Sequence, residues 1–231
     1  MDTPDTLTRL NKHLALNLGV SRREADDLIA AGKVAVNGIP AQLGQRINAA
    51  SVITANGKPL KTGVEFTYIA LNKPVGYVCS RRAQGENPTI YSLLPTEYHH
   101  LKPVGRLDKD SSGIILLTND GDFAFKMTHP SFHKTKVYEV ALDKPLEPLH
   151  QQMISDFGVD LPDGKSQLHL TRLKDGDNKQ WQISMHEGRN RQIRRTFASL
   201  GYSVTALHRT NFGNYPLGDI KTGQYKLTDI S

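Results

Sequence analysis

The chain of 231 residues has a single cysteine, Cys79. An intramolecular disulfide is excluded, and the expectation is a chain that folds around an apolar core in a reducing cytoplasm, with Cys79 as a small buried hydrophobe. There is likewise one tryptophan; Trp181 lies in a strand pattern and reads as core, not as a base-stacking platform. No apolar run approaches the roughly 20 residues that span a bilayer. The amino-terminal stretch MDTPDTLTRLNKHL carries acids where a secretory signal would carry bases. No membrane partner and a cytoplasmic location are therefore expected. The chain also lacks a fixed-period repeat, a low-complexity tract and the glycine motifs that cradle nucleotide phosphates. His129 and His133 are four apart, but Pro130 lies between them and prevents a shared helix, so no metal site is expected there.

What the chain does have is basic charge. Its formal net charge is +6 and its isoelectric point is near 9.3, which makes a polyanion a natural partner. With 38% apolar and 23% charged residues it has the composition of an ordinary folded protein. Its length suits one large domain or a small one joined to a larger one. Residues 1 to 62 hold eight Lys or Arg against five acids, so about a quarter of the chain carries half of the net charge.

In that first quarter Leu7, Leu10, Leu14 and Leu18 recur at spacings of three and four and predict a short amphipathic helix ended by Gly19. Ser21-Arg22-Arg23-Glu24 has the spacing of a capping box and opens a second helix with Ala25, Leu28 and Ile29 on its buried face and Gly32 as its stop. Asn37-Gly38 and Asn56-Gly57 are hairpin turns between short strands, Gly44 lies in a loop, and Lys61-Thr62-Gly63 reads as a linker. Arg22 and Arg23 occupy the first helical turn, where the helix dipole disfavours cations by a few tenths to about 1 kcal/mol. A solvated helix end and a phosphate-binding start are equally compatible with that composition. The stretch LTRLNKHLALNLGVSRREADDLIAAGKVAVNGIPA resembles an S4 RNA-binding module. The resemblance implies that the second helix and its basic start face structured RNA, with Arg9, Arg22, Arg23 and Lys33 as contacts.

From Phe66 onward strands dominate. FTYIALNKPVGYVCS predicts strand, Pro-Gly turn, strand; RRAQGENPT is a polar loop; GIILLTND, KVYEVAL, LHLTRL and KQWQISM predict strands. DGDFAFKMTHP predicts a short helix ended at Pro130, and RQIRRTFASLG a helix with Ile193, Phe197 and Leu200 inward and Gly201 as its stop. Helices dispersed among antiparallel strands argue for an α+β fold, with a small domain over 1–62 and a larger one over 63–231.

Two stretches carry the chemistry. GRLDKDSSGIILLTND, residues 105 to 120, surrounds Asp108 with basic, hydroxyl and glycine residues before an apolar strand. A calcium loop starting at Asp108 would place Asp110, Ser112 and Gly113 correctly but Asn119, not Glu, at loop position 12, with no helix before it and a strand after it. Residue types alone favour a turn, whereas a carboxylate at a strand's edge is also where catalytic groups lie. HEGRNRQIRR, residues 186 to 195, gathers four arginines in seven residues. A helix starting near Asn190 would put Arg191, Arg194 and Arg195 on one side, in need of anionic partners.

LNKPVGYVCS, GRLDKDSSGIILLTNDGDFA, KVYEV and EGRNRQIRR follow one another in the order found in pseudouridine synthases of the ribosomal small-subunit synthase A family, which the chain resembles from residue 66 to 231. The resemblance implies isomerisation of uridine to pseudouridine in ribosomal RNA, without cofactor or metal, on ribosomal RNA or a pre-ribosomal subunit, by a monomer. It makes Asp108 the essential aspartate, Tyr138 the active-site tyrosine and Arg194 the arginine paired with Asp108. Arg106 becomes the residue that enters the base stack, and Leu207 an apolar wall of the base pocket. Arg191, Gln192 and Arg195 become further substrate contacts. Thr135 departs from the family, whose members often have Glu there. On this reading Asp108 attacks either C1′ or C6. Tyr138 either removes the C5 proton, for which a tyrosine with a free pKa of about 10 is a weak base, or only stacks on the uracil. The wording KDSSG and GRNRQIRR favours a 23S over a 16S target. A non-catalytic rRNA-binding assembly factor that keeps the fold is the alternative reading.

Overall fold

The computed structural model describes residues 7–60, 65–81 and 85–229. The chain divides into two compact units, Met1–Phe66 and Thr67–Ser231, and the linker expected at 61–63 lies outside the described residues.

In the first unit β1 (Thr8–Arg9) leads into α1 (Leu10–Leu18), followed by α2 (Arg22–Ala30), β2 (Val34–Val36), β3 (Ile39–Pro40), β4 (Arg46–Ile47), β5 (Ile53–Ala55) and β6 (Lys58–Pro59). The helix expected from Leu7 starts at Leu10, because Thr8 and Arg9 are extended and pair with Ile47 and Arg46. Leu7 is exposed as a result and drops out of the apolar stripe. Gly19 closes α1 at φ +68. The capping box forms in full: the Ser21 hydroxyl accepts from Glu24 N–H and the Glu24 carboxylate accepts from Ser21 N–H. Asn37 and Asn56 both take positive φ before their glycines, so each pair makes the turn whose twist suits a hairpin. Leu10, Leu14, Ala25 and Ile29 from the helices and Val34, Ile47 and Ile53 from the strands make this unit's core.

The second unit is built on one sheet. Its strands are β7 (Tyr68–Lys73), β8 (Lys102–Pro103), β9 (Ser112–Thr118), β10 (Lys136–Leu142), β11 (Val159–Leu161), β12 (Gly164–Ser166), β13 (His169–Arg172), β14 (Gln180–Met185), β15 (Val204–Phe212), β16 (Tyr215–Pro216) and β17 (Tyr225–Leu227). The order across the sheet is β13-β14-β10-β15-β9-β7-β17, with β8 added on β9 and β16 on β15, while β11 and β12 form a separate hairpin. Among the described strands of the sheet β15 and β9 run parallel and the other pairs antiparallel. The helices are α3 (Gly121–Thr128), started by the Asp120 carboxylate on the N–H groups of Asp122 and Phe123, α4 (Pro148–Gln152) and α5 (Gln192–Ala198). This is a mixed, mainly antiparallel α+β fold.

The continuous apolar run Ile114–Leu117 is explained by burial on both faces of β9. Ile115 and Leu117 join Leu71, Trp181, Ile183 and Phe197 on one side, while Ile114 and Leu116 join Val104, Met127 and Phe212 on the other. Trp181 is core, as its strand context implied, with Nε1 donating to Asn178 O. The strand expected after the Pro-Gly turn does not form. Residues 77–79 make only an isolated bridge, Val78 to Thr89, because the turn is drawn elsewhere: Gly76 N–H donates to Lys109 O at 2.7 Å, and the fully buried Lys73 ammonium donates to Pro74 O and Tyr77 O.

Gly113, where β9 runs beside β15, has no tolerance for a side chain. At φ +106 its Cβ would lie 2.2 Å from Arg209 O and 2.5 Å from Arg209 N. Gly113→Ala is expected to destabilise the protein by about 3 kcal/mol or more, or to prevent folding; a melting temperature unchanged from wild type would contradict this packing.

Candidate active site

Residues 104–111 connect β8 to β9 and are held from several sides. Leu107 is buried, and both its backbone groups engage the Cys79 sulfur: the N–H donates to Sγ at 3.4 Å and the thiol donates to the carbonyl at 3.3 Å. Burial pushes the Cys79 thiol up, so it stays protonated and serves as an anchor. Ser111 N–H donates to Asp108 O, and Lys109 O takes the hydrogen bond from Gly76. A rigid loop thus carries Asp108 at the edge of the sheet, with its side chain 28% exposed.

The arginines of the second motif close on this loop. Arg191, at φ +47, precedes α5 instead of lying within it. Its fork is bidentate on Asp110, with bonds of 3.0 and 2.8 Å, and reaches the Asp108 carboxylate at 3.6 Å. Arg194, with a side chain only 12% exposed, donates to Asp110 O at 2.7 Å and Val204 O at 2.8 Å, and its Nε lies 3.2 Å from the Asp110 carboxylate. The direct contacts of Arg194 are thus with Asp110, and Arg191 is the arginine that comes within 3.6 Å of the Asp108 carboxylate, while Arg194 and Lys73 add positive charge nearby. The Arg191 hydrogen bonds hold the Asp110 carboxyl below its usual range, with Arg194 assisting.

Arg195 does not join them. It makes a bidentate pair with Asp163 at 3.0 and 2.7 Å, and Arg189 adds donors to Asp163, Gly164 and Lys165. Together they clamp the β11–β12 hairpin. Gln192 is buried and donates to Ser166 Oγ and Glu187 Oε2. The arginine-rich motif thus spends most of its donors within the protein, on acids that spacing alone did not bring together.

A cavity of about 810 Å³ opens above the sheet, and Arg106, Asp108, Tyr138, Arg191, Gln192 and Leu207 all reach it, whereas Arg194 and Arg195 lie outside its lining. Tyr138 on β10 pairs with Arg209 on β15 just where the register between those strands shifts, a bulge of the kind that re-aims side chains beside active sites. The Tyr138 hydroxyl has no hydrogen-bond partner among the described residues. Leu207 is buried two positions before Arg209, on the same face of β15. Arg106 is exposed, without a hydrogen bond or ion pair among the described residues. Sequence reasoning missed Lys136 and Arg209, which also line the cavity. The signal for Arg209 was a cation at an inward position of the TALHRT strand. His99 and His100 donate within their own loop, to Leu94 O and Glu97 O.

In the first unit Arg9, Arg23 and Lys33 are exposed, and their side chains make no hydrogen bond or ion pair among the described residues. Arg22 instead donates to Asn11 Oδ1 on α1, and Asn11 donates to Asp26. Arg9 stands directly opposite Arg46 across the β1–β4 pair, an unfavourable juxtaposition unless an anion relieves it.

In the second unit one open cavity thus gathers a carboxylate on a pinned loop, a tyrosine on β10 and a buried leucine on β15. Comparison with known proteins makes this specific. The RNA pseudouridylate synthase family model matches residues 67–199 and the S4 domain model residues 8–53. The dual-specificity RNA pseudouridine synthase RluF of Salmonella typhi is 37% identical over 97% of this chain and 77% of its own length. Ribosomal large subunit pseudouridine synthase B of Bacillus subtilis is 35% identical over 94% and 90%, and ribosomal small subunit pseudouridine synthase A of Pasteurella multocida 35% over 94% and 94%. A crystal structure of a pseudouridylate synthase superposes with a TM-score of 0.68 at 32% identity, covering 96% of each chain. The chain belongs to the RNA pseudouridylate synthase family and is a pseudouridine synthase, an isomerase acting on RNA.

Because Asp110 and Arg191 are each more than a third open to solvent, their pair alone contributes about 1 kcal/mol or less. Asp110→Asn also removes the countercharge of the nearly buried Arg194, so the expected cost at neutral pH is roughly 1–2 kcal/mol. The folded carboxyl titrates below the unfolded value of about 3.9, so this contribution is complete above that pH and is lost as pH falls through the folded pKa. Thermal melts should show a constant gap between Asp110→Asn and wild type from pH 8 down to about 5, narrowing below about 4; a gap that widens in acid would refute the assignment.

Proposed function

We propose that this protein isomerises a specific uridine in ribosomal RNA, with the S4 unit supplying much of the affinity and the cavity above the sheet holding the flipped uridine. The observation that carries the reading is the convergence of Asp108, Tyr138 and Leu207 on one cavity whose rim bears the unpartnered Arg106. A base within folded RNA is reached only by flipping it out, at a cost of a few kcal/mol of stacking. Arg106, free and exposed, fills the gap that remains. Asp108, with Arg191 beside it, meets the sugar or the base as an anion, and Tyr138 packs on or takes a proton from the uracil. The relatives are named for both ribosomal subunits at the same identity, so overall similarity does not choose between them. The KDSSG and GRNRQIRR motifs are the reason to place the target in the large-subunit RNA.

The test is pseudouridine mapping by carbodiimide-dependent primer-extension stops on 16S and 23S rRNA from cells with and without this gene. Loss of one stop in 23S rRNA is expected. Loss of a 16S stop would overturn the subunit assignment, and an unchanged pattern in both would favour a non-catalytic assembly factor. Replacing Arg22 and Arg23 together by Ala should weaken RNA binding and reduce the slope of log affinity against log salt by about one to two, since each phosphate contact contributes close to one. An unchanged slope would remove the start of α2 from the RNA surface.

A further inference from the structure

The mechanism so far leaves Arg209 unused, yet it is the most anomalous charge in the molecule. It is 2% exposed, and only its Nε–H has an acceptor among the described residues, Ile114 O at 2.8 Å. Nη2 is buried without a partner. The guanidinium stacks over Phe212 at 4.6 Å and lies 6.0 Å from the ring of Tyr138, its cross-strand neighbour. Among the described residues no carboxylate pairs with it. A second cation, Lys136, lies 5.7 Å from the same Phe212 ring, and burial together with Arg209 pushes that ammonium down. Ring contacts return only part of the cost of burying an unpaired cation. The base of the cavity is thus prepared for negative charge that the apoprotein does not supply.

We infer that Arg209 is a catalytic residue that donates from its unfilled Nη groups to a carbonyl oxygen of the flipped uracil, where charge collects as the glycosidic bond breaks. Depth decides between base and phosphate. The exposed Arg106 and the 43%-exposed Arg191 stand at the rim, where the strand's phosphates remain, whereas Arg209 lines the cavity from within the sheet beside Tyr138 and Leu207. The base is the part of a flipped nucleotide that enters deepest. In the reaction the N1–C1′ bond breaks and its electron pair stays on the uracil, spread over N1, O2 and O4. The C5–C1′ bond then forms, the C5 proton leaves, and N1 gains a proton. Addition of Asp108 at C6 would likewise load O4. On either route a preorganised donor in a desolvated site stabilises that oxygen more in the transition state than in the ground state.

The inference rests on the cavity being the uracil site, and the experiment separates the two. Single-turnover rates and RNA dissociation constants are measured for wild type, Arg209→Met and Arg209→Lys on RNA carrying uridine, 2-thiouridine or 4-thiouridine at the target, sulfur being a poor acceptor. Arg209→Met is expected to lose rate on the order of a hundredfold, with RNA affinity little changed. One thio substitution should slow wild type but have little further effect on the variant. Equal thio effects in wild type and variant would overturn the inference while leaving the uracil site in place. A wild-type rate indifferent to both thio substitutions would overturn it even if neither variant folds. Full turnover by both Arg209→Met and Asp108→Asn would remove the cavity as the reaction site altogether.

Discussion

The catalytic unit depends on how one carboxylate that does no chemistry is held. Asp110 lies between Arg191 and Arg194, and through them the loop before β9 is tied to the start of α5 and, by Arg194 on Val204 O, to the start of β15. Without that knot Asp108 would sit on a polar, glycine-containing loop with freedom to move. With it, the carboxylate faces the cavity at a defined place beside a guanidinium. The same economy governs Arg189 and Arg195, whose donors converge on the β11–β12 hairpin and form another wall of the cavity. Four arginines that would repel one another are drawn in pairs, Arg191 and Arg194 to Asp110 and Arg189 and Arg195 to Asp163, and each pair orders a loop.

Sheet geometry supplies the other half of the site. The parallel contact of β9 with β15 brings Gly113 so close to Arg209 that only glycine fits, and the shifted register between β10 and β15 aligns Tyr138 with Arg209. Positions two apart on β15 place Leu207 and Arg209 on the cavity side together. Apolar wall, tyrosine and buried cation therefore come from adjacent strands of a rigid sheet, while the nucleophile candidate comes from a loop fastened at its end. Precision of this kind is what an isomerisation assisted by positioning and electrostatics needs.

Local features were legible in the sequence because their causes are local. The Ser21–Glu24 capping box, the two Asn-Gly turns and the Gly19 stop each follow from a few adjacent residues and appear where expected. The structure departs from local pattern where a distant partner decides. Leu7 has the spacing of the α1 stripe, but Ile47 and Arg46 draw its neighbours into a strand pair. Residues 77–79 alternate like a strand, but the Gly76–Lys109 bond and the buried Lys73 direct the chain to the Asp108 loop. Two acids two residues apart cannot be told apart as partners of Arg194 without the loop's path, and Asp163 lies too far from Arg195 in sequence to be foreseen. The order of motifs identified the family; which donor meets which acceptor required the fold.

The central claim is that Asp108, held in this frame, performs the chemistry. Tritium release from C5-labelled uridine in the target RNA tests it most directly. Asp108→Asn, which keeps the shape and removes the charge, should bind the RNA but release no tritium above background; release at the wild-type rate would contradict the account.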